Sequence, residues 1–415
     1  MSTDNFGNLR KVSWSRAGRT DKGVHAAGQV IALKLKYPSD QEKQMVEGIN
    51  HHLPGDIRVL DIKRVAKAFD ARERCTGRRY EYMMPTFVLA PKEEIGAAFA
   101  EALAWEKSEA EANSGSVADA TARGADIAAP TGARGAGGAG TTGVVSVDAH
   151  QEHRGSPHLG GDDEGADELD TPRERRKEVE TRQGVTKARE VPQEVELSSA
   201  AVLRRVAEKL GGYRLPESSL KTLRETLEVF KGTKNYHNYT RSKAGTDDSC
   251  KRYVTNFAAS DPWEDGGQME WIRVTVEGQS FLLHQIRKMV AASVDRVRRH
   301  SSKEDLNKSF SPLVKFNLGL APSQGLYLER VLYSAYNAHL RGQGSPERVL
   351  EWETGPVAQA MEEFKRSKIQ AGTLAKERDD HDFVAWLDRI NRYPCPYQPL
   401  GEAGSLEINQ GDEIR

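Results

Sequence analysis

The sequence predicts an α+β fold of two halves that are separated by a long insert. Segment 1–95 contains short strand patterns, and segment 197–340 contains both alternating strand patterns and apolar stripes at helical spacing. Residues 106–196, in contrast, have few large apolar side chains and many Gly, Ala, Ser, Thr, Asp and Glu residues. The order of strands and helices predicts that the helices cover one face of each sheet.

The N-terminal half, 1–95, is expected to contain at least two strands. An apolar run over residues 30–35 predicts a short strand. Tyr80, Tyr82 and Met84 occupy alternate positions, which predicts a second strand with these three side chains on one face.

The C-terminal half, 197–340, has a clearer pattern. Apolar residues at 3-4-3 spacing over 220–230 predict a helix, and the alternation over 272–276 predicts a strand. A long amphipathic helix is expected from about Ser280. Residues 341–415 are expected to form a partly helical, partly irregular C-terminal extension.

Charge is divided unevenly along the chain. Residues 106–196 carry 11 Lys and Arg against 19 Asp and Glu, so the remainder has a net charge of +7, although the whole chain has −1. We assign 96–196 as a low-complexity, mostly disordered insert, for which a passive linker is the simplest interpretation. The folded part is therefore expected to be basic.

Several classes of protein are excluded by composition. No run approaches the roughly 20 apolar residues of a membrane helix, and the first residues lack the basic and apolar regions of a secretory signal. Cys75, Cys250 and Cys395 are widely separated, which excludes a disulfide framework and a four-cysteine zinc site. We expect a soluble intracellular protein.

The first segment with possible chemistry is 16–28, a predicted loop that contains three glycines and Asp21. Glycine allows a backbone to approach a ligand closely. Asp21 lies between Arg19 and Lys22, and a neighbouring guanidinium favours the charged form of a carboxylate, as a nucleophile or base requires. An ordinary solvated turn explains the pattern equally well, and the glycine spacing does not match a phosphate-binding loop.

The second segment is 279–290, in which His284, Arg287 and Lys288 share one face of the predicted helix. Such a face could line a cleft for a polyanion. From spacing alone, an ordinary solvated face of an amphipathic helix is the better interpretation.

Two further segments combine aromatic and basic side chains. Tyr80 and Tyr82 follow Arg78 on a predicted strand, and an exposed aromatic ring in a basic cleft can stack on an unpaired base. The alternative is that both rings belong to the core. Segment 230–240 could contact RNA in the same way, but Tyr236 fits a core position slightly better.

In order along the chain, these segments resemble the TruA-type tRNA pseudouridine synthases, and most closely the eukaryotic tRNA pseudouridine synthase 1-like branch. The resemblance covers 5–95 and 197–340, and the insert has no recognised counterpart. It is carried by Gly18-Arg19-Thr20-Asp21-Lys22-Gly23-Val24-His25-Ala26, Phe69-Asp70-Ala71-Arg72, Arg79-Tyr80-Glu81-Tyr82, the segment 278–289, and the segment 321–328.

The resemblance implies a fold, an activity and roles for particular residues. The fold is two RRM- or ferredoxin-like halves with antiparallel sheets side by side and helices outside. The activity is isomerisation of uridine to pseudouridine in tRNA by an isomerase that needs no metal or organic cofactor. Asp21 is the implied catalytic residue.

The resemblance also implies which side chains meet the substrate. Arg19 would hold the RNA where the uridine leaves its stack, and Tyr80 would stack on the uracil. Arg287 would form an ion pair with Asp21, and Leu326 would pack beside the base.

The basic balance of the folded part suits a phosphate backbone. The partner is therefore expected to be tRNA, or another structured RNA, and no membrane. The eukaryotic branch suggests a monomer in the nucleus, with the mitochondrion as the alternative. The residues predicted to contact RNA are Lys22, Arg78, Lys234, Lys243, Lys251, Arg252 and Lys288.

One departure from the family pattern affects these expectations. The family opens with a strand and a helix before the catalytic loop, whereas about 20 residues precede Asp21 here. We therefore expect a sheet without its first strand, and a chain that is poorly stable or inactive. A non-catalytic RNA-binding protein or tRNA chaperone is the alternative function, and a scaffold that binds partners through the acidic insert is a third.

Overall fold

The computed structural model describes residues 11–36, 41–122, 198–267, 269–299 and 302–392, with the backbone alone over 112–122. The described residues outside 107–187 form one compact unit. Cys395 and most of the predicted insert lie outside the described residues.

The unit is built on a mixed, mainly antiparallel sheet. Its strand order is β2-β9-β4-β8-β6-β5, with β7 also paired to β8, while β1 and β3 form a separate antiparallel ribbon. The strands are β1 (Ser15–Arg16), β2 (His25–Ala26), β3 (Ile31–Ala32), β4 (Gly77–Pro85), β5 (Gly232–Asn235), β6 (Lys251–Ala259), β7 (Trp263–Glu264), β8 (Glu270–Gly278) and β9 (Leu326–Leu332).

Strand β4 occupies the centre of the sheet. It pairs antiparallel with β8 on one side and with β9 on the other, so Tyr80 lies opposite both Val276 and Leu328. The register shifts between Arg79 and Tyr80 on the β9 side. The predicted strand at Tyr80 is thus confirmed, but Met83 is as deeply buried as Met84. A strand between two neighbours and between two layers of helices shows no alternation of exposure.

Helices cover both faces of this sheet, which corrects the expectation of one covered face. On one face Phe257 contacts Phe230 at the end of α4, and on the other Tyr327 accepts a hydrogen bond from Gln370. The helices are α1 (Glu42–His52), α2 (Lys92–Ala122), α3 (Ala200–Leu210), α4 (Glu217–Val229), α5 (Gln285–Arg299), α6 (Lys303–Lys308), α7 (Ser334–Gly342), α8 (Gly355–Phe364), α9 (Ala371–Asp380) and α10 (Asp382–Asn391), with a π-helical segment at Lys365–Gln370 between α8 and α9.

The predicted helix over 220–230 and strand over 272–276 are confirmed as α4 and β8. The long helix α5 begins at Gln285 rather than near Ser280. The reason is His284, whose φ of 65° lies in the left-handed region and interrupts a right-handed helix. Gln285 also stabilises the preceding loop, because its side-chain oxygen accepts a hydrogen bond from the backbone N–H of Leu282 at 2.8 Å.

Two predicted boundaries differ from the structure. The apolar run over 30–35 forms a strand only at Ile31–Ala32. Residue 96, the predicted start of the insert, lies inside α2, and Phe99 in that helix is buried in the core. Amino-acid composition shows where the apolar content of the chain falls. A helix, however, continues as long as its inner face packs against other residues.

Of the predicted C-terminal extension, the described residues up to Arg392 contribute to the core. Phe383, on α10, packs edge to face against Tyr82 and against Trp271, with ring centroids 6.2 Å apart in each case. Val384 and Leu387 are fully buried beside it. Removing α10 would therefore expose the end of the central strands.

A buried carboxyl group joins the C-terminal helices to the loop before β9. The side-chain amide of Gln324 donates to Glu377 Oε2 at 3.4 Å, and the backbone N–H of Phe383 donates to the same oxygen at 2.8 Å. Thr373 donates to the carbonyl of Gln324 at 3.0 Å. Glu377 is 0% exposed, and burial raises its pKa to about 8.

We predict that Glu377→Gln changes how the free energy of unfolding depends on pH. Because the folded protein holds the Glu377 proton up to about pH 8, while an unfolded glutamate releases it near its ordinary pKa of 4.5, the wild-type protein loses stability as pH rises through this window. Glutamine has no proton to lose, so the variant should gain stability relative to wild type between these limits. Urea unfolding across the window measures the difference, and the exposed Glu208→Gln is the control. Parallel curves for wild type and Glu377→Gln would contradict the prediction.

Candidate active site

Asp21 lies on a tight turn in the loop between β1 and β2. The backbone N–H of Val24 donates to the carbonyl of Asp21 at 3.0 Å, and Gly23 has a φ of 79°. A Cβ atom at Gly23 would lie 2.7 Å from Ser323 Oγ, so the turn fits closely against the loop before β9. The glycine thus allows close approach to another part of the protein and sets the direction of the turn.

Arg78 holds the Asp21 loop against the loop that precedes α5. Its guanidinium donates to the carbonyl of Ala17 at 2.5 Å and to the carbonyl of Gln279 at 2.7 Å. Arg78 was predicted to contact RNA, but these bonds use two of its donors to join two loops. A lysine ammonium has no such planar fork with which to bridge both carbonyls.

His284 is an ionisable neighbour of Asp21, and the sequence indicated only that it shares a polar face with Arg287 and Lys288. Its Nε2 lies 3.9 Å from Asp21 Oδ2, which is beyond hydrogen-bond distance. Burial lowers the pKa of His284, Asp21 opposes the shift, and Arg287, Arg241 and Lys288 add to it. The imidazole is therefore mainly neutral at neutral pH. The available signal was its place on the polar face over 279–290.

Arg287 does not form the predicted ion pair with Asp21 among the described contacts. Its Nε donates instead to the carbonyl of Ala321 at 2.6 Å, which fixes the guanidinium beside the loop before β9. Burial lowers the pKa of Arg287, while Tyr82 and Asp21 raise it, so the two charges interact without direct contact.

Tyr80 and Leu326 lie on neighbouring elements of the sheet close to Asp21. The Tyr80 ring packs edge to face on Phe281 with centroids 5.6 Å apart, and its side chain is 7% exposed. Burial raises the pKa of the Tyr80 phenol to about 12, and the charge of Asp21 contributes to the shift. Leu326, the first residue of β9, is 5% exposed. Both side chains present only a small surface to a substrate.

The other aromatic candidates are core residues. Tyr82 donates to the carbonyl of Pro322 at 2.9 Å, and Tyr236 donates to the carbonyl of Phe230 at 2.7 Å. Both rings are fully buried. The alternative interpretation of these positions as core is therefore correct for Tyr82 and Tyr236.

The basic residues predicted to contact RNA have different partners. Arg19 and Lys22 are exposed beside Asp21. Lys288 is half-buried and donates to two backbone carbonyls. The remaining members are engaged as follows: Lys243 with Asp247 at 2.7 Å, Lys251 with Asp248 at 2.8 Å, Lys234 over the ring of Phe310 at 5.1 Å, and Arg252 with the carbonyls of Ser249 and Lys251. Their role in RNA binding stays a prediction.

Within the described ranges, no three His, Cys, Asp or Glu side chains are grouped so that they could hold a metal ion. None of the helices in those ranges combines the length and the apolar character needed to cross a membrane.

Comparisons with known proteins identify relatives of this chain. The family model described as tRNA pseudouridine synthase matches residues 227–334. The chain is 32% identical to tRNA pseudouridine synthase 1 of Yarrowia lipolytica over 94% of this chain and 67% of that protein. It is 30% identical to the Kluyveromyces lactis protein of the same name over 100% of this chain and 66% of that protein, and 27% identical to the mouse pseudouridylate synthase 1 homolog over 98% and 69%. It spans about two thirds of the length of these relatives, and it belongs to the tRNA pseudouridine synthase family of isomerases.

Proposed function

We propose that this chain converts uridine to pseudouridine in tRNA, with Asp21 as its catalytic carboxylate. The observation that carries the proposal is the position of Asp21, which lies on a tight turn 3.9 Å from His284 Nε2 and interacts electrostatically with Tyr80, His284 and Arg287. A carboxylate that is 23% exposed in such surroundings is accessible but largely removed from bulk water.

The reaction breaks the bond between C1′ of the ribose and N1 of uracil and forms a bond between C1′ and C5. C5 loses a proton and N1 gains one, so the composition of the RNA does not change. Asp21 could attack the base, attack the sugar or remove a ribose proton, and each route requires the free carboxylate. The nucleotide must first leave its stack, at a cost of a few kcal/mol.

The other residues of the site have complementary roles in this proposal. Tyr80 contacts the uracil with the exposed part of its ring and stays a neutral phenol at neutral pH, because its pKa is about 12. Leu326 forms an apolar wall beside the base. Arg287 contributes positive charge near Asp21 from its fixed position, and exposed Arg19 holds the RNA where the uridine is extruded.

We extend the proposal to the predicted tRNA contacts, Lys22, Arg78, Lys234, Lys243, Lys251, Arg252 and Lys288, and to action as a monomer in the nucleus. We also propose that the fold consists of two RRM- or ferredoxin-like halves, both of which contribute strands to one sheet. Fractionation of cells that produce the chain distinguishes the nucleus from the mitochondrion.

We predict that Asp21→Asn abolishes turnover. The amide keeps the size of the side chain but cannot act as a nucleophile or base, so tritium release from tRNA labelled with 5-³H-uridine should fall by about 10³-fold or more. Binding of tRNA should be retained, and Asp261→Asn, at a side chain that is 88% exposed, is the matched control. Tritium release that survives Asp21→Asn would contradict the proposal. No release by the unaltered chain, together with tRNA binding, would favour the non-catalytic RNA-binding protein.

We also predict that Gly23→Ala lowers the rate constant for isomerisation by about 10- to 100-fold, because displacement of a catalytic group by about 1 Å can have that effect. An alanine at a φ of 79° costs about 1–2 kcal/mol, and its Cβ would displace Ser323. Single-turnover tritium release measures the loss of rate, and thermal unfolding measures the loss of stability. Gly48→Ala, in the helix α1 with open space around it, should keep full activity. Equal rates for Gly23→Ala and wild type would show that the turn does not position Asp21.

A further inference from the structure

Three cations from three separate segments lie around residues 240–243, where Lys288 donates to the carbonyl of Thr240 at 3.3 Å and Lys315 to the carbonyl of Lys243 at 3.2 Å. They are Arg241, Lys288 and Lys315, which we call the cation triad. Lys288 lies in the first turns of α5, Arg241 follows the buried segment 236–240, and Lys315 precedes the buried Phe316. Like charges that are brought together repel, and a bound anion offsets this destabilising repulsion.

Asn238 holds the three segments in place. Its side-chain amide donates to the carbonyls of Ser309 at 2.8 Å and Val314 at 3.0 Å, and its side-chain oxygen accepts from the N–H of Phe316 at 3.0 Å. The carbonyl of Asn238 in turn accepts from Lys288 Nζ at 3.4 Å. These contacts fix the backbones next to Arg241 and Lys315, so the triad is held on a preformed frame.

Carboxylates in this region are already engaged elsewhere. Asp247 pairs with Lys243 at 2.7 Å, and Asp248 pairs with Lys251 at 2.8 Å. Across the described part of the chain, no carboxylate lies within ion-pair distance of a member of the cation triad. Lys288 is bound by the carbonyls of Asn238 and Thr240, and Lys315 by the carbonyl of Lys243, and these acceptors leave the positive charge uncompensated.

The electrostatic effect of this arrangement is visible at Lys288. Burial lowers the pKa of its ammonium to about 8, and the charges of Lys315 and Arg241 contribute. The same Arg241 lowers the pKa of His284, so the triad extends towards Asp21. The backbone N–H of Lys288 donates to the carbonyl of His284 at 3.0 Å, so Lys288 lies one helical turn from His284, whose Nε2 is 3.9 Å from Asp21 Oδ2.

We propose that the cation triad binds a backbone phosphate of the tRNA strand that carries the target uridine. The proposal rests on the proposed function, since it takes Asp21 as the place where that uridine binds. It adds Arg241 and Lys315 to the predicted RNA contacts and assigns them, with Lys288, to one site. A phosphate there would supply the missing negative charge and would fix the backbone of the RNA beside the extruded nucleotide.

The first test is the dependence of tRNA affinity on salt concentration. Lys288→Met and Lys315→Met should each weaken binding and reduce the slope of log K against log salt by about 1, the effect of one lost phosphate contact. Filter binding of unmodified tRNA to the Asp21→Asn variant measures affinity without turnover. Lys209→Met, which removes a lysine paired with Glu101, should leave affinity and slope unchanged. Wild-type slope and affinity in both triad variants would overturn the proposal.

The second test uses pH and does not depend on whether Lys288→Met folds. A bound phosphate stabilises the charged ammonium, so tRNA affinity should fall as pH rises from about 7 to about 9, through the pKa of Lys288. Lys288→Arg keeps the charge over that range and should bind tRNA with little pH dependence. The other groups facing Lys288 are Arg241, Lys315 and the mainly neutral His284, while Cys250 and the Lys243–Asp247 pair lie behind Lys315. The same pH dependence in Lys288→Arg and wild type would overturn the proposal.

The two proposals fail in different ways. If tritium release by wild type depends on Asp21 but the triad variants bind normally, the phosphate site is wrong and the isomerase stands. If the triad variants lose affinity but the unaltered chain releases no tritium, the phosphate site stands and the proposed activity is wrong. The chain would then be a non-catalytic RNA-binding protein.

Discussion

The structure depends on strand β4, which is hydrogen-bonded on both edges and covered on both faces. Every residue from Tyr80 to Ala90 is buried, and the approach of the neighbouring loop is so close that a Cβ atom at Gly325 would lie 2.4 Å from the carbonyl of Met83. Tyr80 and Tyr82 belong to this strand, so the floor of the candidate site is also the least adjustable part of the core. The flanking loops, in contrast, approach the site from outside the sheet, so their sequence and length can change without disturbing the sheet.

Backbone carbonyls orient the main cations around Asp21. Arg78, Arg287 and Lys288 each donate to carbonyl oxygens of a loop rather than to carboxylates. A carbonyl directs a cation and satisfies part of its hydrogen bonding, but it does not cancel its charge. The site therefore keeps a positive field at fixed positions, as an enzyme for a polyanionic substrate needs.

The sequence predicted the elements that carry a regular apolar pattern, such as α4 and β8, and the family from short collinear segments. It did not predict the start of α5, because the left-handed backbone of His284 has no signature in apolar spacing. It also assigned residues 341–415 to an extension, although Phe383 within this range lies in the core. For the site, the sequence indicated Asp21 and the cations around it. The partner of Arg287 could not be predicted, because a backbone carbonyl such as that of Ala321 is present at every position of every sequence.

The parallel pairing of β2 with β9 has a consequence for how the protein is made. His25 pairs with Tyr327, about 300 positions later in the chain. During synthesis, β2 therefore lacks its neighbouring strand until the first residues of β9 have emerged from the ribosome. Contacts between such distant segments are the slowest to form, because closing the intervening loop has a large entropic cost. A chain that stops before β9 therefore cannot pair β2, the strand that follows the Asp21 turn, with its neighbour in the sheet.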